Sequence, residues 1–437
     1  MNESNHARPD LLRVVSRWQI VALSVNGVIG SGIYLLPATA ALLLGPASLW
    51  AVLLAGLAVA LIVLCFAQAG SYFDQPGGAY LYTREAFGDF VGFQVGWMTW
   101  LTRISAAAAL SNGLAMAVSQ LWPAAASGWA QALVILLGLG LVTGFNLVGV
   151  RSGARLSVVL VIGKLLPLAF LIAVGAFFID WSRLAVEVLP ARAGITEAAL
   201  LLLFAYAGFE NSAAAAGEFR NPKRDLPFAL LAMIAIVTLV YFAIQAVALG
   251  TLPDLATSTS PLAEAAGMFA GQAAVLLLTV GAVVSILGTI SNTTLFGPRY
   301  LYALSKDGYG PAVLGRVHPR WRTPDLAILL QFALSLALAL SGSFVELALL
   351  SVLARLFAYI GTAASVLVLR RRFAGREGAF ELPGGPLVPL LAIGVSLALL
   401  SAASWRNLAA AGVAVLVGVV IFVLRRATDT TDRQQRP

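Results

Sequence analysis

Apolar stretches long enough to cross a lipid bilayer recur from residue 18 to residue 424, and that recurrence limits the chain more than any other feature. A bilayer core offers no water to backbone N–H and C=O groups, so a chain that crosses repeatedly does so as helices or as a closed barrel. The stretches here have helix length, about twenty residues, rather than the roughly ten of a barrel strand. Twelve spans are predicted, at 18–44, 47–72, 89–120, 129–149, 156–179, 196–217, 227–250, 264–304, 325–341, 344–369, 386–404 and 407–424. The third and eighth are long enough to tilt or to project beyond the bilayer. With 60% hydrophobic and 11% charged residues, the chain departs from soluble globular composition. The expected class is an all-α membrane protein with twelve transmembrane helices, embedded in a lipid bilayer.

The formal charge of +8 invites a nucleic-acid reading, but the positions of the cations exclude it. With the N-terminus inside, Lys and Arg crowd the inner connections, among them Arg84, Arg151, Arg155, Arg220, Lys223, Lys306 and Arg370–Arg372. The outer connections hold only Arg183, Arg192 and Arg406. This is the positive-inside asymmetry, and it predicts cytoplasmic tails at 1–17 and 425–437. The first span is too long for a signal-peptide core, so no cleaved leader is expected. A single cysteine, Cys65, allows no intrachain disulfide, and the two histidines, His6 and His318, lie outside the spans. Metal clusters, His-based catalysis and an ATP-binding loop of the GxxxxGK[ST] type are therefore not expected, nor is any cofactor. Three cations sit at membrane depth, Arg103, Lys164 and Arg355, where charge is costly and marks function by default.

Within the first span, Gly27-Val28-Ile29-Gly30-Ser31-Gly32 places three glycines and a serine in six residues, each glycine costing about 1 kcal/mol relative to alanine in a helix. Such a stretch either lets helices pack closely or unwinds, leaving N–H groups at a half-helix start to receive an anion. The sixth span carries a matching weak point, Phe204-Ala205-Tyr206-Ala207-Gly208-Phe209-Glu210-Asn211. Interrupted segments five spans apart imply two five-span units of opposite orientation, the signature of a transporter with its site at the breaks. The units are 18–179 and 196–370, with 386–424 outside the repeat.

These residues resemble the amino acid–polyamine–organocation superfamily of secondary transporters over about spans one to ten. The first break carries the resemblance together with Pro76-Gly77-Gly78-Ala79-Tyr80, Phe204 to Glu210, Glu218 to Pro227, Gly297-Pro298-Arg299 and Ser305-Lys306-Asp307-Gly308. The resemblance implies the five-plus-five inverted-repeat (LeuT-like) fold with discontinuous helices 1 and 6. It implies an amino acid whose carboxylate meets the N–H groups of Gly30, Ser31 and Gly32, the Ser31 hydroxyl assisting, and whose ammonium meets carbonyls near Val28, Phe204 and Ala207. Phe204 occupies the position of an aromatic gate over substrate, or else packs in the core or against lipid. Glu210 matches a position credited with proton sensitivity, with an ion pair that shapes the break as the alternative.

Lys164 lies seven residues after Ser157, about 10 Å into the bilayer at roughly 1.5 Å per residue. Pro167 follows it and leaves the carbonyl near Gly163 without its helical donor. A lysine here snorkels to the cytoplasm or acts as a buried amine able to release its proton. By the resemblance, it stands where related transporters bind sodium, pointing at the first break and at Thr289 or its neighbours. That argues for sodium-independent, proton-coupled symport or for exchange. Arg103 and Arg355 are read as structural clamps, with pairing to Glu210 or a place along the pathway as alternatives. The polar run Ser291-Asn292-Thr293-Thr294 faces the pathway or bonds within the bundle. An apolar surround of Ile29, Phe204, Tyr206 and Phe209 favours a neutral amino acid over cationic amino acids or polyamines. A membrane enzyme would need paired carboxylates or metal ligands at depth, which the sequence lacks. A channel would need repeated filters, and a transport-dead sensor would have lost the pocket. The arginine-rich composition is compatible with a bacterial inner membrane.

Overall fold

The computed structural model describes residues 16–73, 77–148, 150–187, 190–214, 219–376, 379–382 and 384–434. Most of the N-terminal tail, Pro76, Glu218 and the last residues of the C-terminal tail lie outside them, as do the side chains of Arg151 and Arg155. Among the described residues the regular elements are helices. Seven stretches are long and apolar enough to cross a membrane: Ser31–Ser71, Asp89–Ser119, Gly128–Val148, Pro222–Thr251, Pro261–Lys306, Phe344–Arg372 and Trp405–Arg425. Four shorter apolar helices accompany them, Gly163–Phe178, Gly194–Ala205, Asp325–Ser341 and Leu387–Ser401. Large apolar side chains such as Leu54, Leu57, Leu137, Leu334 and Leu416 point away from the protein core, as a lipid-facing belt requires.

The first predicted span is two helices. Helix α1 covers Arg17–Val28 and starts from a capping box in which the Gln19 side chain accepts from the Ser16 N–H at 2.9 Å. It stops at Ile29, whose ψ of 105° is extended, and α2, Ser31–Leu44, begins after Gly30. Helices α3 (Ser48–Ser71), α4 (Gly78–Phe87), α5 (Asp89–Ser119), α6 (Gly128–Val148) and α7 (Val150–Gly175) follow. The amphipathic α4 was not among the predicted spans; it is too short and too polar to cross, and it packs beside α5 and against the later helix Phe344–Arg372. The sixth predicted span is also two helices, α8 (Arg192–Ala205) and the short α9 (Glu210–Ala214), separated by a turn over Tyr206–Phe209. Helices α10 (Pro222–Thr251), α11 (Pro261–Lys306), α12 (Asp325–Ser341), α13 (Phe344–Arg372), α14 (Leu387–Ser401) and α15 (Trp405–Gln434) complete the chain. The long eighth span is bent near its start, where Gly271 takes φ +68° inside α11.

The two interrupted helices cross each other, and glycine is what allows it. Gly208 sits at φ +123° with the Gly27 carbonyl directly where a Cβ would project. A Cβ on Gly32 would lie 2.7 Å from the Ala205 Cα, so the start of α2 and the end of α8 touch backbone to backbone. Around this crossing α10 lies along α3 and α1, α13 along α5, and α11 along both α5 and α7. The breaks are therefore enclosed in protein, the one place where non-helical backbone is tolerated at membrane depth.

Candidate functional site

The two breaks open onto one cavity, walled by Gly30, Ser31 and Gly32 from the first and by Phe204, Ala207 and Gly208 from the sixth, with Val28 beside them. Because α2 starts at Ser31, its first N–H groups have no intrahelical acceptor and carry the positive end of the helix dipole. The Ser31 hydroxyl is fully buried and has no hydrogen-bond partner among the described residues. An orphaned donor at a half-helix start, facing a cavity, is suited to a carboxylate. The carbonyls at the ends of α1 and α8 are drawn together by Tyr241, whose hydroxyl lies 2.9 Å from the Ala205 oxygen and 3.3 Å from the Val28 oxygen. Tyr241 was not singled out in the sequence, since an isolated tyrosine in an apolar helix carries no signal of its own.

Phe204 is 7% exposed and packs edge-on against Phe344 with ring centroids 5.9 Å apart, an arrangement worth about 0.5–1.5 kcal/mol beyond its buried area. It is a wall of the cavity. Three of the expected apolar neighbours are not. The Ile29 side chain is turned into the core, Tyr206 donates its hydroxyl to the Val52 carbonyl at 3.0 Å, and Phe209 stacks on Tyr359. In a turn, successive side chains point in different directions, so nearness along the chain to a break does not make a residue a wall.

Lys164 is completely buried, and its ammonium donates to the Asn26 carbonyl at 2.5 Å and the Ile29 carbonyl at 2.7 Å. Both oxygens belong to the end of α1, where the break has removed their helical donors. The side chain thus points at the first break and does not reach the protein surface. The Tyr34 hydroxyl adds a bond to the Lys164 carbonyl at 3.1 Å, and the Pro167 ring fits against Gly281 of α11, where a Cβ would be 2.6 Å away. Thr289 does not reach Lys164. Its hydroxyl bonds back to the Ser285 carbonyl at 3.0 Å, and its side chain packs against Gly30 and lines the cavity. From the polar run of α11, Asn292 and Thr293 line the cavity, and Asn292 accepts from the Asn211 amide at 2.5 Å. Thr294 instead takes a bond from Asn146 at 2.8 Å.

Glu210 stands at the first residue of α9, behind the wall. Its Oε2 accepts from the Gly208 N–H at 2.9 Å, which holds the turn in shape. Its Oε1 lies 3.0 Å from Arg355 Nε and 3.7 Å from Arg103 Nη2. The short contact to Arg355 is off the N–H axis, making it an ion pair rather than a hydrogen bond. The carboxylate and Arg355 border a second cavity with Phe66, Thr102, Tyr300 and Tyr359, whereas both arginines line the central one. Of the two roles weighed for Glu210, its contacts are those of the ion pair. Among the described residues no group of three or more His, Cys, Asp or Glu side chains converges as metal ligands would.

A helical membrane protein with a cavity at two crossed helix breaks, where one helix start offers donors and two helix ends offer carbonyls, has the architecture of a carrier of small polar molecules. The amino acid permease family profile matches residues 15–424, and the chain belongs to that family. It is similar to a serine/threonine exchanger of Bacillus subtilis, 31% identical over 91% of this chain and 93% of the relative. A branched-chain amino acid permease of the same organism is 29% identical over 95% and 93% of the two chains. A vacuolar cationic amino acid transporter of Arabidopsis thaliana is 26% identical over 84% of this chain and 64% of its own length. The protein is an integral membrane transporter of amino acids, not an enzyme.

Proposed function

We propose that the chain is a secondary active transporter working by alternating access, sodium-independent and driven by protons, with exchange as its second mode. In this reading the fold has twelve spans in a five-plus-five inverted repeat, set in a bacterial cytoplasmic membrane with both termini inside. The substrate's α-carboxylate rests on Gly30, Ser31 and Gly32 at the start of α2. Its ammonium rests on carbonyls at the ends of α1 and α8, near Val28, Phe204 and Ala207, and Phe204 closes over it. The observation that carries this is the Lys164 ammonium on the Asn26 and Ile29 carbonyls. A fixed cation there satisfies the acceptors that a bound sodium ion would otherwise need to satisfy. An amine can surrender its proton within a cycle, which sodium cannot imitate. Exchange is retained because one similar protein is itself an exchanger. Transport of a cationic side chain is disfavoured, because among the described residues no carboxylate lines the central cavity.

The test is uptake of labelled amino acids into liposomes holding the purified protein, without sodium, with and without an inward proton gradient. Uptake that follows the gradient supports proton coupling. Uptake that needs internal amino acid and ignores the gradient supports exchange. A strict need for sodium refutes the reading of Lys164, and no uptake by folded protein refutes transport in favour of a sensor.

A further inference from the structure

We infer that the amino acid carried by this site has an anionic side chain, recognised by Arg103 and Arg355. This rests on the transport reading above and replaces the neutral side chain that the sequence favoured. The argument begins with charge. Arg103 and Arg355 are 2% and 4% exposed, and both line the cavity that the two breaks share. A single carboxylate, Glu210, serves both, and one of its oxygens is committed to the Gly208 N–H. Two guanidiniums against one carboxylate leave one positive charge, and among the described residues no Asp or Glu lines the cavity to offset it. Arginine does not escape by losing its proton. A buried charge without a counter-charge costs several kcal/mol, so an anion entering the cavity recovers what the empty arrangement lacks.

The donors are also free. Arg355 Nη1 and Arg103 Nε and Nη2 have no hydrogen-bond partner among the described residues, although both side chains are more than nine-tenths buried. The Arg103 guanidinium lies 6.0 Å from the Tyr300 ring centroid, a contact that steadies the charge. Planar guanidinium donors suit a carboxylate better than a hydroxyl or an amide. These donors come from α5 and α13, whereas the Ser31 group that meets the α-carboxylate belongs to the start of α2. The site thus has anion-binding groups in two places and acceptors for one ammonium, the pattern of an amino acid with a second carboxylate. A neutral side chain would bury against two arginines whose donors stay unpaired, and a cationic one would be repelled.

The test is counterflow in liposomes bearing the full chain, with labelled aspartate and glutamate compared with asparagine, glutamine, leucine and lysine. Each is run in chloride buffer and in gluconate buffer. The acids are expected to exceed their own amides by at least ~tenfold, since a site that pairs a substrate's polar group rejects the analogue lacking it. Arg355→Gln and Arg103→Gln are expected to erase that preference and let the amides compete. The wild-type ratio decides even if a variant fails to fold. Transport of amides or leucine in preference to the acids overturns the inference while leaving the transport reading intact. Neutral uptake that disappears in gluconate also overturns it, by assigning the arginines to a co-bound halide. No counterflow with any amino acid refutes both.

Discussion

Replacing Lys164 by methionine keeps the length and apolar stem of the side chain and removes the ammonium, and it separates a fixed cation from a space filler. The ammonium satisfies two carbonyls, those of Asn26 and Ile29, at 2.5 and 2.7 Å, and both lost their helical donors when α1 stopped at Val28. In the variant these buried acceptors are left unpaired at about 1–3 kcal/mol each, or roughly 2–6 kcal/mol together. The cost of burying a charge disappears at the same time, so overall stability is expected to change little. The penalty falls on the break itself, because the acceptors are relieved only if the end of α1 shifts. A loss of even about 2 kcal/mol in the population with the break correctly formed is more than tenfold. Initial exchange rates at matched reconstitution are therefore expected to fall at least ~tenfold, while the unfolding temperature in detergent stays near that of the wild type. Lys164→Ala, which leaves room for an ion, is expected to regain activity when sodium is supplied. Uptake by Lys164→Met within about twofold of the wild type would refute the argument.

Two further outcomes are expected. Gly32→Ala drives a methyl group against the Ala205 backbone at 2.7 Å and should abolish uptake, at a cost of about 1–3 kcal/mol or more for overpacking, whereas Gly394→Ala, on an open face of α14, should transport normally. The carboxylate of Asp180, just outside the predicted fifth span, accepts from the Ser182 hydroxyl at 2.6 Å and the Ser182 N–H at 3.1 Å, which holds its pKa below the ordinary carboxylate value. A depressed folded-state pKa means that the turn it supports gains stability above the unfolded value, about 3.9, and loses it as pH falls through the folded one. Side-chain NMR of labelled aspartate should place the Asp180 midpoint below that of a free carboxyl and return it upward in Ser182→Ala; an unchanged midpoint in the variant would contradict the assignment.

What could be read from the sequence and what could not divide along physical lines. A glycine-rich interruption is a local property of the backbone, and both breaks were visible because Gly27–Gly32 and Ala207-Gly208 are poor helix wherever they occur. The burial of Lys164 was expected from counting helical rise, whereas its direction toward the first break came from the resemblance, with snorkelling as the alternative. Wall identity did not follow, because Ile29, Tyr206 and Phe209 sit in turns whose side-chain directions depend on dihedral angles that the sequence leaves open. Tyr241 reaches both broken helix ends only because α10 crosses them, a tertiary fact without local signature.

The charges at membrane depth show the same division most plainly. Sequence alone identifies Arg103, Lys164, Glu210 and Arg355 as costly and therefore purposeful, and leaves pairing of the arginines to Glu210 as one alternative. Glu210 is read there as a proton-sensitive group or as an ion pair that shapes the break. In the structure Glu210 is already committed twice, to the Gly208 N–H and to two guanidiniums, so it has little left to offer a ligand. Its consequence for the cavity is indirect: by standing behind the turn it anchors the arginines, and the charge presented to a bound molecule is theirs. A residue type that suggests affinity for cations thus ends up supporting a surface that attracts anions, and the sign of the site follows from which side of the turn the carboxylate occupies.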